Sequence, residues 1–536
     1  MPTALELLRE GRTKELWDKC CGFVDLNIDQ FMDIQNDLLL EQIELLSHCE
    51  LGNKIMRGAK PRNVEEFRVQ VPITTYADYA PYLIEKIEAA LPEKPMLWQH
   101  TAGRSSEYAY KLVPVTPRMY HEFGDLMLAE LILASCTARG EVVLEEHDKL
   151  LYGLAPPPYA SGSWARRAAE DGVFDFLPPI DKAEGMDFQK RIEQGFKLGM
   201  SEGIDWMAGI SIMLITIGER FGQGGGLKRI IPMLNKPKLL SRMSKAMLKS
   251  KLARRPMLPK DIWTLKGLIS VGADATVYRQ RIKDMWGRYP LEIYGATEPV
   301  VIATQVWDYG DMTFIPHLNF MEFIPEREYT KWFADRAYQP RTLLLNEVIP
   351  GERYVIVMTN FRGGTFVRYI LGDMIQITSL RNAKLDINIP QMTYYSRADN
   401  ILDFAGASLT EKAIWQAIEE SGLDYVDWTA CKETQEGLRL HLYIELKNEG
   451  QSEKEVTTIM DKQFRLMKED YAYMVEKLGF KLLKVTLLPT GAFQRYKDIR
   501  EAAGADMTHL KPPHINPSDD VLAVLMKSEG KIAVEV

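Results

Sequence analysis

The chain has 536 residues, of which 46% are hydrophobic and 26% charged, as is ordinary for a globular protein. This length can bury a large core and predicts more than one domain. The net charge is −8 and there is no long run of like charge, which argues against a nucleic acid or an anionic membrane as the main partner.

The cysteines and the N-terminus indicate the compartment. The five cysteines are unevenly spaced and no CxxC pair is present, so neither a zinc ribbon nor a disulfide framework is predicted. We expect reduced thiols in a cytoplasmic protein. The N-terminal MPTALELLREGRTKELWDKC is charged and has helical spacing, unlike a signal peptide. The longest apolar stretch, Trp206 to Gly218, is too short to span a bilayer and predicts a core helix.

The first three quarters of the chain predict helices followed by a mixed region. Residues 1 to about 90 have helical spacing, as in FMDIQNDLLLEQIELLSHCELG, which ends on a glycine. From about 96 to 395, helical segments alternate with apolar runs that are typical of buried strands. These runs are KLLYGL, GLISVGA, LEIYG, FMEFIP, YVIVMT and MIQITSL. The alternation predicts an α/β sheet architecture.

The pattern changes after TYYSRADN. The segments that follow predict a helix, a strand, a helix and a strand: LTEKAIWQAIEESGL, RLHLYIELK, SEKEVTTIMDKQFRLMKEDYAYMVEKLG and KLLKVTLLP. This is the pattern of a small α+β unit. A boundary near Arg397 to Asn400 would divide the chain into domains of residues 1–396 and 397–536.

The first segment that could carry chemistry is LEIYGATEPVV (Leu291 to Val301). In open α/β sheets, ligands bind beyond the carboxyl ends of the strands. Here Tyr294 could stack on a flat base, and Gly295 would let the backbone approach a ligand closely. Thr297 offers a hydroxyl to a phosphate, and Glu298 offers oxygen to Mg²⁺. The alternative is a strand followed by an ordinary turn.

A second segment is VRYILGDMIQI (Val367 to Ile377), in which Gly372 and Asp373 interrupt an apolar run. An aspartate held by a tight turn at a strand end can accept two hydrogen bonds from a ribose diol. Arg368 could pair with a phosphate or with a carboxylate. The alternative is a β-turn beside a surface arginine.

A third segment, LWQHTAGRSSEYAYKLVPVT, places small and hydroxylic residues between a predicted strand and a lysine. Backbone N–H groups in such a loop can bind an anion. Arg104, Ser105, Ser106 and Lys111 would add donors. A polar surface loop is the alternative.

A fourth segment, LLPTGAFQRYKDIREA, places Lys497 after a Gly-Ala turn in the small domain. A lysine on such a turn could be a mobile cation that reaches another site. The alternative is a solvated lysine, since lysine is rarely buried without a partner.

Taken in chain order, the four segments resemble the motifs of the adenylate-forming enzymes, which include acyl-CoA synthetases, peptide-synthetase adenylation domains and luciferase. YGATE is similar to their YGxTE motif, and RYILGD is similar to their (Y/R)xxGD motif. SRADNILDFAG resembles their GRxDxxIKxxG hinge segment, and Lys497 resembles their C-terminal catalytic lysine.

The flanking sequence resembles one branch of these enzymes, the Gretchen Hagen family of acyl acid–amido synthetases. This family was first known from auxin-responsive plant genes and also has bacterial members. The similar segments are NFMEFIP, LNEVIPGERYVIVMTNFRGGTFVRYILGD, VPITTYADYAPYLIEKI and the long helical N-terminus. The resemblance covers nearly the whole chain.

The resemblance implies a large N-terminal α/β adenylation domain with helical additions and a smaller, mobile α+β C-terminal domain. It implies ATP-dependent, Mg²⁺-assisted adenylation of a carboxylic acid, followed by acyl transfer to an amine, usually that of an amino acid. Two segments, Gly153 to Ala168 and Asp205 to Glu219, fall where this branch lines its acid site. Their aromatic and methionine content suggests an apolar or aromatic acid, with plain core as the alternative.

The resemblance also assigns individual residues. Thr297 would contact the α-phosphate and Glu298 would hold Mg²⁺. Lys497 would bridge the α-phosphate and the attacking carboxylate, and Asp399 would be the hinge. The residues assigned to ATP or AMP are Arg104, Ser105, Ser106, Lys111, Gly272, Ala273, Asp274, Tyr294, Gly295, Ala296, Thr297, Arg368 and Asp373.

Two departures and two alternatives accompany this interpretation. The phosphate loop reads HTAGRSSEYAYK where the family usually reads close to SSGTSxGxxK, with Arg104 in place of a threonine. Ile370 stands where the family usually has a second arginine. The altered loop leaves open a nucleotide-binding protein without catalysis. An acyl-CoA ligase shares every motif above, so the motifs do not identify the acceptor, and they do not give the oligomeric state.

Overall fold

The structure is a computed structural model. It describes residues 2–101, 111–186, 188–222, 237–271, 275–398, 401–404, 407–434, 437–448, 450–476, 479–502 and 514–527. The chain forms two compact units: the first contains residues up to 101 and residues 111–396, and the second contains residues 397–536.

The first unit mixes strands and helices, as the sequence predicts. Its strands are β1 (Leu97–His100), β2 (Leu112–Val115), β3 (Asp148–Tyr152), β4 (Phe174–Leu177), β5 (Trp206–Ile210), β6 (Gly267–Val271), β7 (Leu291–Tyr294), β8 (Ala303–Thr304), β9 (Met312–Phe314), β10 (Asn319–Pro325), β11 (Arg353–Asn360), β12 (Tyr369–Ser379) and β13 (Gln391–Arg397). Its α-helices are Ala4–Arg9, Thr13–Cys20, Ile28–Ser47, Glu50–Ile55, Val64–Gln70, Tyr76–Leu83, Pro117–Ser135, Ala160–Glu170, Ile180–Ala183, Phe188–Glu202, Ser211–Gly222, Pro237–Leu252, Pro259–Ile262, Ala275–Trp286 and Glu326–Ala334.

Eleven strands form one sheet in the order β10-β11-β12-β13-β9-β8-β7-β6-β5-β3-β4, and β1 and β2 form a separate antiparallel pair. The strands from β4 to β7 in this order run parallel, while β7, β8 and β9 pair antiparallel. In the register of β6 and β7, Val271 lies opposite Ile293. The carboxyl ends of these two strands therefore meet at one edge, and the predicted α/β architecture is confirmed.

The helix Ile28–Ser47 shows how the predicted N-terminal helices attach to the sheet. Two buried glutamines, Gln35 and Gln42, lie on one side of this helix. The Gln35 amide donates to the carbonyl of Asn319 (2.7 Å) at the start of β10, and the Gln42 amide donates to the carbonyl of Gly364 (2.8 Å) before β12. A buried amide needs partners, so these contacts fix the helix in register against the sheet.

The apolar stretch Trp206 to Gly218 is not the single helix that the sequence predicts. It forms β5, and the chain then turns directly into the helix Ser211–Gly222. An apolar run without alternation does not distinguish a buried strand from a buried helix. A Cβ on Gly209 would lie 2.1 Å from the Cε of Met213, so glycine at this position leaves room for the Met213 side chain. Within the part of the chain that the structure describes, no helix has the length and apolar character needed to cross a membrane.

The strand β12 differs from the predicted turn at Gly372 and Asp373. It runs without a break from Tyr369 to Ser379, but its pairing with β11 shifts between Val355 and Val357. Gly372 lies at this bulge with a φ of +78°, a conformation that glycine adopts without strain. The bulge, rather than a turn, sets the direction of Asp373.

All five cysteines are unpaired, and Cys20, Cys21, Cys49 and Cys136 are buried. Burial raises the pKa of the Cys136 thiol to about 12 and that of Cys431 to about 11. A raised pKa leaves little of the reactive thiolate at neutral pH. The thiols therefore contribute to packing.

The second unit contains the predicted order of helix, strand, helix and strand. Its strands are β14 (Ile401–Asp403), β15 (Ser408–Thr410), β16 (Tyr425–Glu433), β17 (Arg439–Leu446) and β18 (Leu483–Leu487), and its helices are Glu411–Glu420, Glu453–Met467, Glu469–Glu476, Ala492–Ala502 and Asp519–Leu525. The sequence did not predict β16, which pairs with β17. Polar residues alternate with Trp428 and Ala430 along β16, so its apolar signal is weak.

Candidate functional site

The turn after β7 carries the YGATE sequence. The N–H of Val300 donates to the carbonyl of Ala296, and the N–H of Ile302 donates to that of Tyr294, both at 2.9 Å. A Cβ on Gly295 would lie 2.1 Å from the Val300 carbonyl oxygen, so this compact turn requires glycine there. The turn places Thr297 and Glu298 at the sheet edge where β6 and β7 end.

Two buried asparagines donate hydrogen bonds to the backbone of this turn. The Asn319 amide donates to the carbonyl of Pro299 (2.8 Å), and the Asn360 amide donates to the carbonyl of Glu298 (3.0 Å) and to the Asn319 side chain (2.9 Å). Neither residue was predicted as part of the site. The signal in the sequence was an asparagine at the start of the apolar strand β10 and another at the end of β11. Together they fix the backbone that presents the Glu298 carboxylate.

The Glu298 carboxylate is buried and paired. Its Oε1 lies 3.2 Å from the Lys111 ammonium and accepts a hydrogen bond of 3.1 Å from the Tyr369 hydroxyl. Lys111 also donates to the Tyr369 hydroxyl at 2.8 Å. Burial alone would raise the pKa of Glu298, but the Lys111 charge and the hydrogen bonds outweigh it and lower the pKa below its ordinary value. The carboxyl is therefore ionised, and Tyr369 joins the site although the sequence analysis did not select it.

Lys111 reaches this carboxylate from the hairpin of β1 and β2. The N–H of Thr101 donates to the carbonyl of Lys111 (3.0 Å), and the N–H of Lys111 donates to the Thr101 hydroxyl (3.1 Å). The predicted strand before the loop is confirmed as β1. Lys111 thus stands where the predicted phosphate loop rejoins the fold.

Tyr294 and Asp373 lie together although 79 positions separate them in sequence. The Tyr294 hydroxyl donates to the Asp373 carboxylate at 2.9 Å, and both side chains are buried. The β12 bulge brings Asp373 to the end of β7. The residue predicted for the base and the residue predicted for the ribose therefore meet at the same edge of the sheet.

Arg368 is not available to a phosphate, and the prediction that it binds ATP is wrong. Its Nε and Nη2 donate to the two carboxylate oxygens of Glu322 at 2.9 and 2.7 Å. Nη1 donates to the carbonyls of Arg68 and Val71, and Nη2 also lies 3.5 Å from the Thr342 hydroxyl. These contacts engage all five N–H groups of a side chain that is 4% exposed. Arg368 therefore pairs with a carboxylate, which was the other possibility for this residue, and its role is structural.

We expect Arg368→Ala to lower the free energy of unfolding by about 3–5 kcal/mol, because it leaves the Glu322 carboxylate buried without its cation. Urea unfolding followed by circular dichroism measures this change. The double variant Arg368→Met with Glu322→Leu, which removes both charges at similar volume, should recover much of the loss. An unfolding free energy that Arg368→Ala leaves within about 1 kcal/mol of the parent value would rule out this account.

Several assigned residues lie outside the described residues. These are Arg104, Ser105, Ser106, Gly272, Ala273, Asp274 and Asp399. The described neighbours are β1, which ends at His100, β6, which ends at Val271, and β13, which ends at Arg397. The assignments for these seven residues therefore stay predictions.

Lys497 lies exposed on the helix Ala492–Ala502, a few residues after the predicted turn. The turn precedes the helix at Gly491, which has a φ of +76°. The buried Glu445 carboxylate accepts hydrogen bonds from the N–H groups of Gly491 (2.6 Å) and Phe493 (3.0 Å). A carboxylate at a helix N-terminus is favourable, so Glu445 fixes the start of the helix that carries Lys497.

The segment Asp205 to Glu219 contributes mainly to the core. Met207, Met213, Leu214 and Ile215 belong to a buried apolar cluster beneath the sheet. In the other predicted acid-site segment, the Tyr159 ring lies 4.5 Å from the His100 ring at the end of β1. For the described side chains of Asp205 to Glu219 the plain-core alternative holds. The segment Gly153 to Ala168 packs beside the hairpin that carries Lys111.

One large groove lies elsewhere on the first unit. It has a volume of about 960 Å³ and runs along β4, the edge strand of the sheet, between the helices Ala160–Glu170 and Phe188–Glu202. Among the residues assigned to ATP or AMP that the structure describes, none lines it. Three strands separate β4 from β7 in the sheet, so the groove is not part of the candidate site.

The described residues fit a magnesium ion that is held mainly by a substrate. Among them, no group of three or more histidine, cysteine, aspartate or glutamate side chains could hold a metal ion alone. Mg²⁺ is commonly bound through one or two carboxylates, water and substrate phosphates. The Glu298 carboxylate, which is ionised and buried, would be one such ligand.

Solved structures of adenylate-forming enzymes share this fold. One is AtGH3.15 acyl acid amido synthetase in complex with 2,4-DB, with 16% identity, a TM-score of 0.53 and coverage of 94% of this chain and 95% of that one. Another is 2-hydroxyisobutyryl-CoA ligase in complex with 2-HIB-AMP and CoA, with 13% identity, a TM-score of 0.56 and coverage of 93% and 91%. At these identities the likeness establishes the fold alone.

Family models identify the chain more closely. The N-terminal, central and C-terminal domain models of the GH3 family match residues 23–150, 312–397 and 409–520. The chain therefore belongs to the GH3 family, and the resemblance to the Gretchen Hagen enzymes is confirmed. The matched ranges contain Lys111, Asp373 and Lys497, whereas the YGATE turn lies between them.

Two curated relatives are jasmonoyl–L-amino acid synthetases of Nicotiana attenuata. JAR4 is 28% identical over 227 residues, which are 39% of this chain and 36% of that protein. JAR6 is 24% identical over 225 residues, which are 40% and 37%. The matches thus span little more than a third of the length of these relatives.

Proposed function

We propose that the chain is an AMP-forming acid–amido synthetase. A carboxylic acid attacks the α-phosphorus of ATP and gives acyl-AMP and pyrophosphate, and an amine then attacks the acyl carbon and releases AMP. The observation that carries the proposal is the ionised Glu298 carboxylate, held by Lys111 and Tyr369 beside the Tyr294–Asp373 pair, in a chain of the GH3 family.

The arrangement of charges supports the first step. An anion must attack an anion, so the protein has to supply cations and oriented donors where charge develops. Lys111 has one ammonium N–H beyond the two that Glu298 and Tyr369 accept. We propose that this N–H donates to the incoming phosphates. The Thr297 hydroxyl, which lies on the same turn as Glu298, would be a second donor. Mg²⁺, when bound at Glu298, would neutralise phosphate charge.

The second unit supplies the remaining cation in this proposal. Lys497 would bridge the α-phosphate and the attacking carboxylate, and the unit would turn about Asp399 between the two steps. Glu445 supports this role because it anchors the first turn of the lysine's helix. The domains would be residues 1–396 and 397–536, as the sequence predicts.

The substrates are proposed from the relatives. The names of the relatives, jasmonoyl–amino acid synthetase and an amido synthetase bound to 2,4-DB, favour an apolar or aromatic acid and an amino-acid acceptor. The unpaired cysteines favour a reducing compartment such as the cytoplasm.

A second candidate is an acyl-CoA ligase, because the adenylation motifs of the sequence are common to both classes of enzyme. The two functions share the adenylation step and differ in the nucleophile.

Product analysis separates the two candidates. The protein is incubated with ATP, Mg²⁺ and a panel of acids that includes jasmonic acid, 2,4-DB and 2-hydroxyisobutyric acid, with either CoA or an amino-acid mixture. Mass spectrometry should find an amide, and AMP should form only when acid is present. A thioester as the sole product would contradict amide synthesis, and absence of AMP with every acid would favour the nucleotide-binding alternative.

Asp373 provides a test of the nucleotide position. We expect Asp373→Ala to weaken ATP binding at least about 30-fold, because the loss of even one hydrogen bond to a charged carboxylate costs about 2 kcal/mol. Isothermal titration calorimetry measures the dissociation constant. Tyr294→Phe, which removes only the hydroxyl that Asp373 accepts, is the control for a change in carboxylate position and should cost less. An ATP dissociation constant unchanged in Asp373→Ala would remove the ribose role.

A further inference from the structure

One part of the chain has a charge opposite to that of the whole. Residues 220–260 contain twelve lysines and arginines and no aspartate or glutamate, although the chain has a net charge of −8. The basic residues are spaced rather than consecutive, so the net charge and a search for uninterrupted runs both pass over them. The described part of this stretch includes the helix Pro237–Leu252, which we call the basic helix.

The inner face of the basic helix packs on the first unit. Leu239, Met243 and Ala246 are buried at helical spacing and belong to the core cluster beneath the sheet. The Arg242 guanidinium donates to the carbonyls of Gly199 and Met200, at 3.1 and 2.6 Å. This face is therefore occupied, and the helix has a fixed orientation.

The outer face exposes four large apolar side chains. Leu240 is 45% exposed, Met247 45%, Leu248 61% and Leu252 75%. Single exposed apolar residues are normal on a protein surface, but a group of them on one face marks an interaction site. The spacing of seven, one and four residues keeps all four on one side of the helix.

Exposed cations accompany these apolar side chains. Lys245, Lys249, Lys251 and Arg254 are exposed, and their side chains have no ion pair or hydrogen bond with the described residues. Arg255, in contrast, pairs with Asp261. The outer face thus combines unpaired positive charge with exposed aliphatic surface.

We propose that the outer face of the basic helix docks the protein on an anionic lipid surface. A helix that lies in a membrane interface places its apolar side chains at the headgroup–acyl boundary and its lysines and arginines among anionic headgroups. The four apolar side chains and the three lysines of the outer face, with Arg254 just beyond the end of the helix, match those two layers. Docking of this kind needs no membrane-spanning segment.

A bilayer fits this face better than other anionic partners. A nucleic acid is bound by cations that pair with its phosphates and by aromatic rings that stack on its bases. The four exposed apolar side chains would contribute little to such binding. A protein that encloses an amphipathic helix needs access to its apolar face, but here Leu239, Met243 and Ala246 are already covered. A flat surface requires only the exposed side.

The test measures binding of the full-length protein to lipid vesicles by flotation. Binding should occur with vesicles of phosphatidylcholine and phosphatidylserine, be absent with phosphatidylcholine alone and weaken with added salt. The variant Lys245→Gln/Lys249→Gln/Lys251→Gln should lower the partition coefficient roughly 100-fold, since each basic residue near the surface contributes about fivefold. Leu248→Ser/Leu252→Ser should lower it at least about tenfold.

A control variant matched to the triple lysine variant carries the same change of charge at exposed lysines elsewhere in the chain. Lys14→Gln/Lys60→Gln/Lys462→Gln should bind as the parent does. All the substituted side chains are exposed, so melting temperatures should agree, which excludes unfolding as the cause. Equal loss in the control, or full binding by the leucine variant, would overturn the proposal. So would binding to duplex RNA, but not to vesicles, with the same sensitivity to the three lysines.

Discussion

Replacing Lys497 with alanine should lower the rate of adenylation by about 100- to 1,000-fold while leaving the reaction of supplied acyl-AMP with its acceptor nearly unchanged. The side chain lies exposed on the helix Ala492–Ala502, and alanine favours a helix, so the fold should keep its stability within about 0.5 kcal/mol. The loss reflects one missing cation at the charged transition state. Pyrophosphate exchange measures the first step, and mass spectrometry of the amide measures the second.

The control for this variant is Lys462→Ala. Lys462 is also an exposed lysine on a helix of the second unit, Glu453–Met467, but no motif includes it. It should retain full adenylation. Normal exchange in Lys497→Ala would refute the lysine assignment, and equal loss of both half-reactions would show that the residue supports folding or substrate binding instead.

Replacing Glu298 with glutamine should lower adenylation by at least about 100-fold and raise the Mg²⁺ concentration needed for half-maximal rate. Glutamine has the same shape but lacks the charge that a magnesium ion requires, and its amide N–H groups would face the Lys111 ammonium. Rates at a series of Mg²⁺ concentrations measure both effects.

Tyr369→Phe is the matched control for the carboxylate. It removes one hydrogen bond to Glu298 but keeps the charge and the Lys111 pair, so the rate should fall only several-fold. Urea unfolding of both variants shows whether either loss comes from the fold. An adenylation rate in Glu298→Gln equal to that of the parent protein would show that the carboxylate does not take part.

Much of the fold follows from the sequence because its strands are continuous apolar runs between helical segments. The runs at β6, β7, β10 and β11 are buried on both faces of a covered sheet, which is what such runs predict. Prediction failed where local pattern was ambiguous. β16 alternates weakly because polar residues flank Trp428, and Trp206 to Gly218 divides into a strand and a helix that are equally apolar.

The site was only partly predictable because its contacts are distant in sequence. The YGATE turn could be located from a motif, but the Lys111 and Tyr369 contacts of Glu298 span 187 and 71 positions. No local pattern indicates that Arg368 lies on Glu322, 46 positions away, rather than on a phosphate. The bulge at Gly372 likewise depends on how β12 pairs with β11, and the sequence of β12 alone does not determine that register.

The most direct test of the central claim is acid-dependent exchange of labelled pyrophosphate into ATP. This exchange requires only the first proposed step, in which the side chains of Glu298, Lys111 and Asp373 act together. It does not depend on the acceptor of the acyl group. The account predicts exchange with at least one apolar or aromatic acid, no exchange without acid, and loss of exchange in a folded Glu298→Gln variant. Absence of exchange across a broad acid panel, in a protein that still binds ATP, would contradict it.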